Sequence, residues 1–246
     1  MKVLNRAPQL VSFVSLLLVW ELAAIIFDPR WLPRVSEVAV SGWNLLLSGR
    51  LVILSSTAQT FAIGIVITFV AAGVIALVLA ASELMEDAAE PFVNAALATP
   101  TVALIPVYIL IWGFGDTTRV ATVISFALFP VVVTWVEALR QAPANLLEMA
   151  NAFTASPLRQ LRSVTLPSAA PLLVTGVRIG AVQGVKGVVS AEVLIGVIGI
   201  GQLLQESTYI LPQLYAIVSI LILLSIALYL VLSGVESRAS RRTQAG

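Results

Sequence analysis

The side chains able to do chemistry in this sequence are few, and the most informative lie in one apolar stretch. Gln183, Lys186 and Ser190 recur three and four residues apart, which places them on one face of a helix. A lysine deep in a membrane span costs about 2.5–3.5 kcal/mol by insertion scales, so Lys186 must face a partner, a cavity or water. Two interpretations stay open: Lys186 and Gln183 line a passage that favours a small anion, or Lys186 pairs with Glu192 or reaches the headgroups.

The sequence contains few of the residues and motifs that catalysis or cofactor binding would require. The sequence has no cysteine and no histidine, which removes disulfides, thiol nucleophiles, imidazole bases and the usual zinc or haem ligands. It has no phosphate-binding G-x-x-x-x-G-K-[ST] loop, and no basic patch with interleaved aromatics that would bind nucleic acid. Glycines 196, 199 and 201 follow a membrane span and not a strand, so they predict a flexible external turn and no dinucleotide site. We expect no enzyme activity and no metal in this chain.

Composition predicts an all-α protein that crosses a membrane several times. Of the 246 residues 59% are hydrophobic, and the mean hydropathy is +1.00. A helix needs roughly 20 apolar residues to cross the hydrocarbon. The stretches between the charged residues contain about six such spans, which together form one transmembrane domain over 1–246. The spans are 10–27, 57–81, 93–112, 119–137, 170–191 and 212–234.

The distribution of Lys and Arg predicts the orientation. Eight of these residues fall in segments that share a side with the N-terminus: Lys2, Arg6, Arg140, Arg159, Arg162, Arg238, Arg241 and Arg242. Four fall in segments on the other side: Arg30, Arg34, Arg50 and Arg119. The positive-inside tendency therefore places both termini in the cytoplasm, with the first helix retained and not cleaved as a signal peptide.

The third and fifth spans carry further signals. Pro100 and Pro106 remove backbone hydrogen bonds and predict a kink in the third span. Tyr108 and Trp112 follow them, either contacting cargo or belonging to an interfacial aromatic belt. In the fifth span, Gly176, Gly180 and Gly184 form a stripe that allows close helix approach, either at a dimer seam or within the chain.

A polar insert at 143–167 separates the fourth and fifth spans. "PANLLEMANAF" predicts one short helix, and a second runs from Pro157 to about Thr165, with Ser156 as its cap. Leu158 and Leu161 lie on one face of the second helix. We expect a break near Ala155, and the pair "LP" at 166–167 closing the insert before the next span.

This insert resembles the cytoplasmic signature of permease subunits of binding-protein-dependent ABC importers, which runs E-A-A, three residues, G, then an apolar stretch ending in L-P. Glu148, Ala150, Leu166 and Pro167 match at the family's spacing, whereas Met149 replaces the first alanine and Thr154 the glycine. Because a β-branched residue is strained in a left-handed turn, we expect the break to shift to 155–156. The stretches "TPTVALIPVYILIWGFGDTTRV", "TGVRIG", "AEVLIG" and "GIGQLL" are similar to the nitrate, sulfonate and taurine branch.

The resemblance implies a type I importer permease fold with coupling helices that bind the ATPases. Its coupling residues would be Glu148, Ala150, Thr154, Ser156, Leu158, Arg159, Leu161, Arg162, Leu166 and Pro167. The expected partners are two ATPase subunits that hold ATP and Mg, an extracytoplasmic binding protein, a second permease copy in a homodimer, and lipid of the bacterial inner membrane. The passage would be lined by Gln183, Lys186, Ser190, Glu192, Tyr108 and Trp112.

The implied cargo is a small organic or inorganic anion, such as a sulfonate, nitrate or carboxylate. The same machinery carrying a pyrimidine or thiamine precursor is the alternative. Two other classes stay open: a secondary transporter, which would need inverted repeats and intramembrane carboxylates, and a membrane scaffold.

Overall fold

The computed structural model is all-helical, with no strand among the residues it describes. It describes the backbone of residues 7–154 and 156–243, and the side chains of residue 8, 11–154 and 156–234. The helices are α1 Ala7–Phe27, α2 Val35–Leu47, α3 Leu54–Ala80, α4 Glu83–Ala98, α5 Ile105–Trp112, α6 Asp116–Arg140, α7 Ala144–Ala152, α8 Pro157–Gln160, α9 Leu166–Ile195, α10 Gly199–Glu206 and α11 Leu211–Thr243. Lys2 and Arg6, and the side chains of Arg238, Arg241 and Arg242, lie outside the described residues.

Most of the predicted spans correspond to long apolar helices. Among the described residues, four helices have the length and composition to cross a membrane, in the regions 50–80, 116–140, 157–195 and 211–234. The bent pair of helices α4 and α5 passes the same test only when its two helices are taken together, which gives up to five spans in the described chain. The sixth predicted span, 10–27, corresponds to α1.

The predicted third span, 93–112, is two helices and not one. The segments 83–98 and 101–112 meet at an angle of 88°. Thr99 is extended because the residue before a proline is driven out of the helical region. A 3₁₀ turn over 101–104 then leads into α5, where Pro106 occupies the first turn and needs no hydrogen bond. Pro100 therefore accounts for the predicted kink.

The core is a three-helix bundle of α3, α6 and α9. The apolar core residues of this bundle are Ala72, Ala76, Val131, Val132, Val136, Ala138, Leu139 and Ala169. The stripe Gly176, Gly180 and Gly184 is buried and faces Trp135, Val131, Phe69, Ile65 and Phe61 of α3 and α6. The structure thus places this stripe against helices of the same chain.

A second apolar cluster joins the remaining elements to the bundle. Its buried members come from α2, α10 and α11: Val38, Leu45, Ile200, Leu203, Ala216 and Ile217. Trp20 of α1 packs beside it and donates from its indole nitrogen to the Pro33 carbonyl at 3.0 Å. The bundle has two ends: the insert end, where α3 and α6 finish, and the clamp end, where α10 lies.

We predict that Gly64→Ala destabilises the bundle whereas Gly73→Ala, nine residues further along α3, does not. A Cβ on Gly64 would lie 2.6 Å from Val123 Cγ1 of α6, but one on Gly73 would lie 3.4 Å from Trp135 Cζ3. Overpacking costs about 1–3 kcal/mol, and alanine gains about 1 kcal/mol over glycine in a helix interior. Thermal unfolding in lipid nanodiscs should give a lower Tm for Gly64→Ala only; equal Tm values would contradict this packing.

Candidate functional site

The insert contains two short helices joined by a left-handed turn at Thr154. Helix α7 ends at Ala152, and Thr154 has φ +52°, with its N–H donating to the Asn151 carbonyl at 2.9 Å. This is the position where a glycine commonly ends a helix. The expectation that Thr154 avoids a left-handed turn is therefore wrong: Thr154 itself takes the strained conformation, at a cost of about 1–2 kcal/mol. Ala155 lies outside the described residues.

Side-chain contacts fix the two helices relative to each other. Gln160 of α8 donates to Asn151 of α7, with 2.6 Å between Nε2 and Oδ1. Ser156 stands at the start of α8 with extended backbone, but its side chain makes no capping hydrogen bond. The predicted Ser156 cap is thus replaced by a link between side chains across the turn.

The apolar side chains of the insert divide into an outward and an inward set. Phe153, Leu158 and Met149 are 77%, 57% and 53% exposed and form the outward set. Leu161, predicted to contact a partner, instead packs on the chain's own core. Most other predicted coupling residues are exposed, namely Glu148, Thr154, Ser156, Arg159, Arg162, Leu166 and Pro167, and Ala150 is half-buried.

The insert does not end before the fifth span. Helix α8, a π-helical turn over 161–165 and α9 form one uninterrupted helix over 157–195. Pro167 was expected to close the insert because proline usually stops a helix. Here the wider π turn precedes it, a local adjustment that tolerates a missing N–H. The outward face of α8 is therefore continuous with the membrane-spanning helix.

A buried ion pair crosses the bundle at its clamp end. Arg119 of α6 pairs with Glu192 of α9, and both side chains are fully buried. The Arg119 guanidinium also donates to Ser56 Oγ at 3.2 Å and to Asp116 Oδ1 at 2.6 Å. The pair between Lys186 and Glu192, one of the two interpretations left open, is therefore not formed, and Arg119, counted with the segments opposite the N-terminus, is buried in the bundle. The Arg119–Glu192 pair is called the clamp below.

Two further donors complete the clamp. Thr57 of α3 and the backbone N–H of Ile200 both donate to Glu192 Oε2, each at 2.8 Å. A Cβ on Gly199 would overlap the Glu192 carboxylate, and one on Gly201 would overlap the Glu192 carbonyl. The glycines predicted as a flexible turn are thus close-packed at 199 and 201, because α10 must approach Glu192 closely.

Sequence reasoning missed this clamp, although Arg119 and Glu192 are both unusual in apolar surroundings. A buried charge costs several kcal/mol unless it is paired and hydrogen-bonded. That cost was the available signal: Glu192 lies within an apolar run and Arg119 stands at the start of another, so these two opposite charges predict a pair. In the structure the clamp connects α3, α6, α9 and α10.

Lys186 lies on the opposite side of α9 from the glycine stripe. Between residues 168 and 192 it is the one exposed residue of this helix; all others there are buried or half-buried. Within the described part of the chain Lys186 makes no ion pair. It borders a hollow of about 290 Å³ whose lining includes Ser225 and Tyr229 of α11.

The other predicted passage residues are distributed around the bundle. Gln183 and Ser190 are half-buried on α9. Tyr108 is bound to α6, with 2.7 Å between its hydroxyl and Ser125 Oγ, and its ring lies 5.5 Å from that of Trp112. Trp112 is 48% exposed. Of the six predicted passage residues, Lys186 alone has a charged side chain that makes no ion pair within the described residues and that borders a hollow.

Comparison with known proteins gives a consistent result. Residues 64–244 match the family model described as "Binding-protein-dependent transport system inner membrane component". The riboflavin transport system permease protein RibX of Chloroflexus aurantiacus is 33% identical over 163 residues, which span 65% of this chain and 60% of that protein. The formylaminopyrimidine transport permease protein ThiX of Halalkalibacterium halodurans is 25% identical over 73% of this chain and 72% of its own length.

A more distant relative and a solved structure extend the match. The nitrate import permease protein NrtB of Leptolyngbya laminosa is 22% identical over 81% of this chain and 75% of its own length. A chain of the MetNI methionine ABC transporter, solved in inward-facing conformations, superposes with a TM-score of 0.61 at 22% identity, covering 81% of this chain and 96% of that one. The family match, the helical fold and the insert together lead to one conclusion: this chain belongs to the inner membrane permease components of binding-protein-dependent ABC importers.

Proposed function

We propose that this chain is the subunit through which an ATP-driven importer moves a small anion across the membrane by alternating access. The observation that carries the proposal is the uninterrupted helix over 157–195, which joins the exposed face of the insert to Lys186. The insert faces the cytoplasm, as do both termini. Two ATPase subunits hydrolyse ATP with Mg, a binding protein delivers the cargo, and a second copy of this chain completes the passage.

The insert transmits motion from the ATPases. Phe153, Leu158 and Met149 form an exposed apolar surface that needs a partner. When the ATPases close on ATP, this surface moves with them, and because α8 continues into α9, the membrane-embedded segment moves too. Rigid-body rocking of this kind can expose one site to alternate sides of the membrane.

The clamp determines which helices move together with α9. Arg119 and Glu192 hold the ends of α3, α6, α9 and α10 together, so displacement of α9 carries these helices with it. The bundle therefore moves as one body and does not shear internally. Relative motion then occurs mainly at the contacts between this bundle and its neighbours, including the second copy of the chain.

The proposed cargo class follows from Lys186. An exposed ammonium beside a hollow attracts an anion, and a sulfonate, carboxylate or nitrate group meets that requirement. The names of the relatives cover riboflavin, formylaminopyrimidine and nitrate. A pyrimidine precursor of thiamine is the second candidate, supported by the similarity to ThiX.

We expect Phe153→Glu to separate the permease from its ATPase. The new charge would have to be buried in the ATPase interface, so we predict binding at least about tenfold weaker, or more than 1.4 kcal/mol. Leu84→Glu is the matched control: Leu84 is 79% exposed at the same end of the bundle but outside the insert. Co-purification with the ATPase should fall for Phe153→Glu alone; equal recovery of both variants would contradict docking through the insert.

Replacing Thr154 by glycine should relieve the turn. Glycine adopts φ > 0 without the Cβ penalty, so we predict a gain of about 1 kcal/mol in insert stability with coupled transport retained. Thr154→Val keeps the β-branch and is the control. Hydrogen exchange at residues 150–160 should slow in Thr154→Gly and not in Thr154→Val; no difference would argue against strain at this turn.

The clamp should behave as a coupled pair in a double-mutant cycle. Glu192→Leu leaves Arg119 buried without its partner and should cost about 3–5 kcal/mol of unfolding free energy, as should Arg119→Met. The double variant should cost clearly less than the sum, because no unpaired charge remains. Chemical unfolding in mixed micelles measures all three. Additive costs would mean that the two charges do not interact.

A further inference from the structure

Two hollows adjoin each other beside α9. The first, of about 460 Å³, lies among α3, α9 and α11, and the second, of about 290 Å³, adjoins Lys186. They share the lining residues Val185, Ser225 and Leu228, so the two hollows lie side by side. This combined space, between α9 and α11, is called the α9–α11 groove.

One end of the groove is charged. Lys186 stands at its mouth, and Arg178, two turns earlier on α9, lies over the ring of Tyr229 with 5.4 Å between the guanidinium carbon and the ring centroid. Ser225 also lines the groove, and its hydroxyl donates to its own helix at Leu221 O, 2.8 Å away. Lys186 is thus the ammonium donor at this end.

The other end of the groove is apolar. Its walls are formed largely by aliphatic and aromatic side chains, including Phe61, Val188, Leu221 and Leu224. A space of this size is within the range of small-molecule sites, roughly 300–1,000 Å³. A bare inorganic anion would occupy only the Lys186 end and leave the apolar end without a role.

We propose that the α9–α11 groove is a binding site for an organic anion that has an apolar or aromatic body. Its anionic group binds the Lys186 ammonium, and its body lies between Phe61 and Leu224. This inference rests on the proposed transport function and narrows its cargo class: nitrate and other inorganic anions are excluded as the main cargo of this site.

The depth of Lys186 favours a free solute over a phospholipid. Lys186 lies nine residues before the end of α9 at Ile195, about 13 Å along the helix axis at 1.5 Å per residue. The exposed ion pair between Arg50 and Glu206 lies at the clamp end of the molecule, beyond this level. A phospholipid headgroup would have to leave the interface to reach Lys186, whereas a cargo anion passes through that depth.

The test uses the full chain in nanodiscs of phosphatidylcholine and three probes. Naphthalene-2-sulfonate carries both features, 2-naphthalenemethanol has the body without the charge, and nitrate has the charge without the body. Equilibrium dialysis gives the Kd of each probe. We expect measurable binding of naphthalene-2-sulfonate, with the other two at least about tenfold weaker, because each lacks one of the two contacts.

Variants separate the two ends of the groove. Lys186→Met should weaken naphthalene-2-sulfonate binding about 10- to 100-fold, while Lys186→Arg retains most of it. Ala58→Trp, which fills the apolar end, should also weaken binding; Val66→Trp, on the same helix but outside the groove lining, should not. Thermal unfolding of each variant checks that it is folded.

The outcomes are distinct. Equal binding to wild type and Lys186→Met, or nitrate binding as tightly as naphthalene-2-sulfonate, would overturn the proposal. Loss of naphthalene-2-sulfonate binding in nanodiscs containing phosphatidylglycerol but not in phosphatidylcholine, both at a salt concentration that screens the surface potential, would assign the groove to lipid and also overturn the proposal. Because the assay needs no ATPase, a failure of ATPase docking in the Phe153 experiment would refute the proposed function and leave this result unaffected.

Discussion

The fold depends on one constraint: a charge removed from water must be paired. Arg119 and Glu192 are both fully buried, and each alone would cost several kcal/mol. Their pairing requires the clamp ends of α6 and α9 to stay adjacent, and the hydrogen bonds from Thr57 and Ile200 extend that requirement to α3 and α10. The absence of side chains at 199 and 201 follows, since any Cβ there would overlap Glu192.

From this fixed end the central helix runs the whole depth of the bundle. It packs on α3 and α6 through its glycine stripe, presents Lys186 on the opposite side, and continues without a break into the insert. The π turn at 161–165 lets the helix pass Pro167 where a regular α-helix would lose a hydrogen bond and clash. One helix therefore connects the exposed face of the insert, proposed to bind the ATPases, with Lys186, proposed to bind the cargo.

Much of this architecture could be predicted from sequence, because the bilayer imposes strong length and polarity requirements. The apolar runs predicted most of the spans, Pro100 predicted the break in the third, and the spacing of Glu148, Ala150, Leu166 and Pro167 predicted the family. Three features escaped prediction for physical reasons. Arg119 was counted with the segments opposite the N-terminus because a count of charges between apolar runs does not detect buried pairs. Thr154 and Pro167 were judged by intrinsic preference, which does not account for the backbone hydrogen bond at Thr154 or for the π turn before Pro167.

The central claim is that the insert and α9 move as one rigid helix. Because the sequence has no cysteine, spin labels can be placed at Leu158→Cys and Leu194→Cys alone, both exposed positions, in the assembled transporter. Their separation is 36 residues, about 54 Å along the helix at 1.5 Å per residue. Pulsed electron–electron double resonance should give the same distance between the two labels of one chain without nucleotide and with ATP bound. The distance between the Leu158→Cys labels of the two paired copies should change. A within-chain change of several ångströms, with bending at 161–165, would contradict the claim.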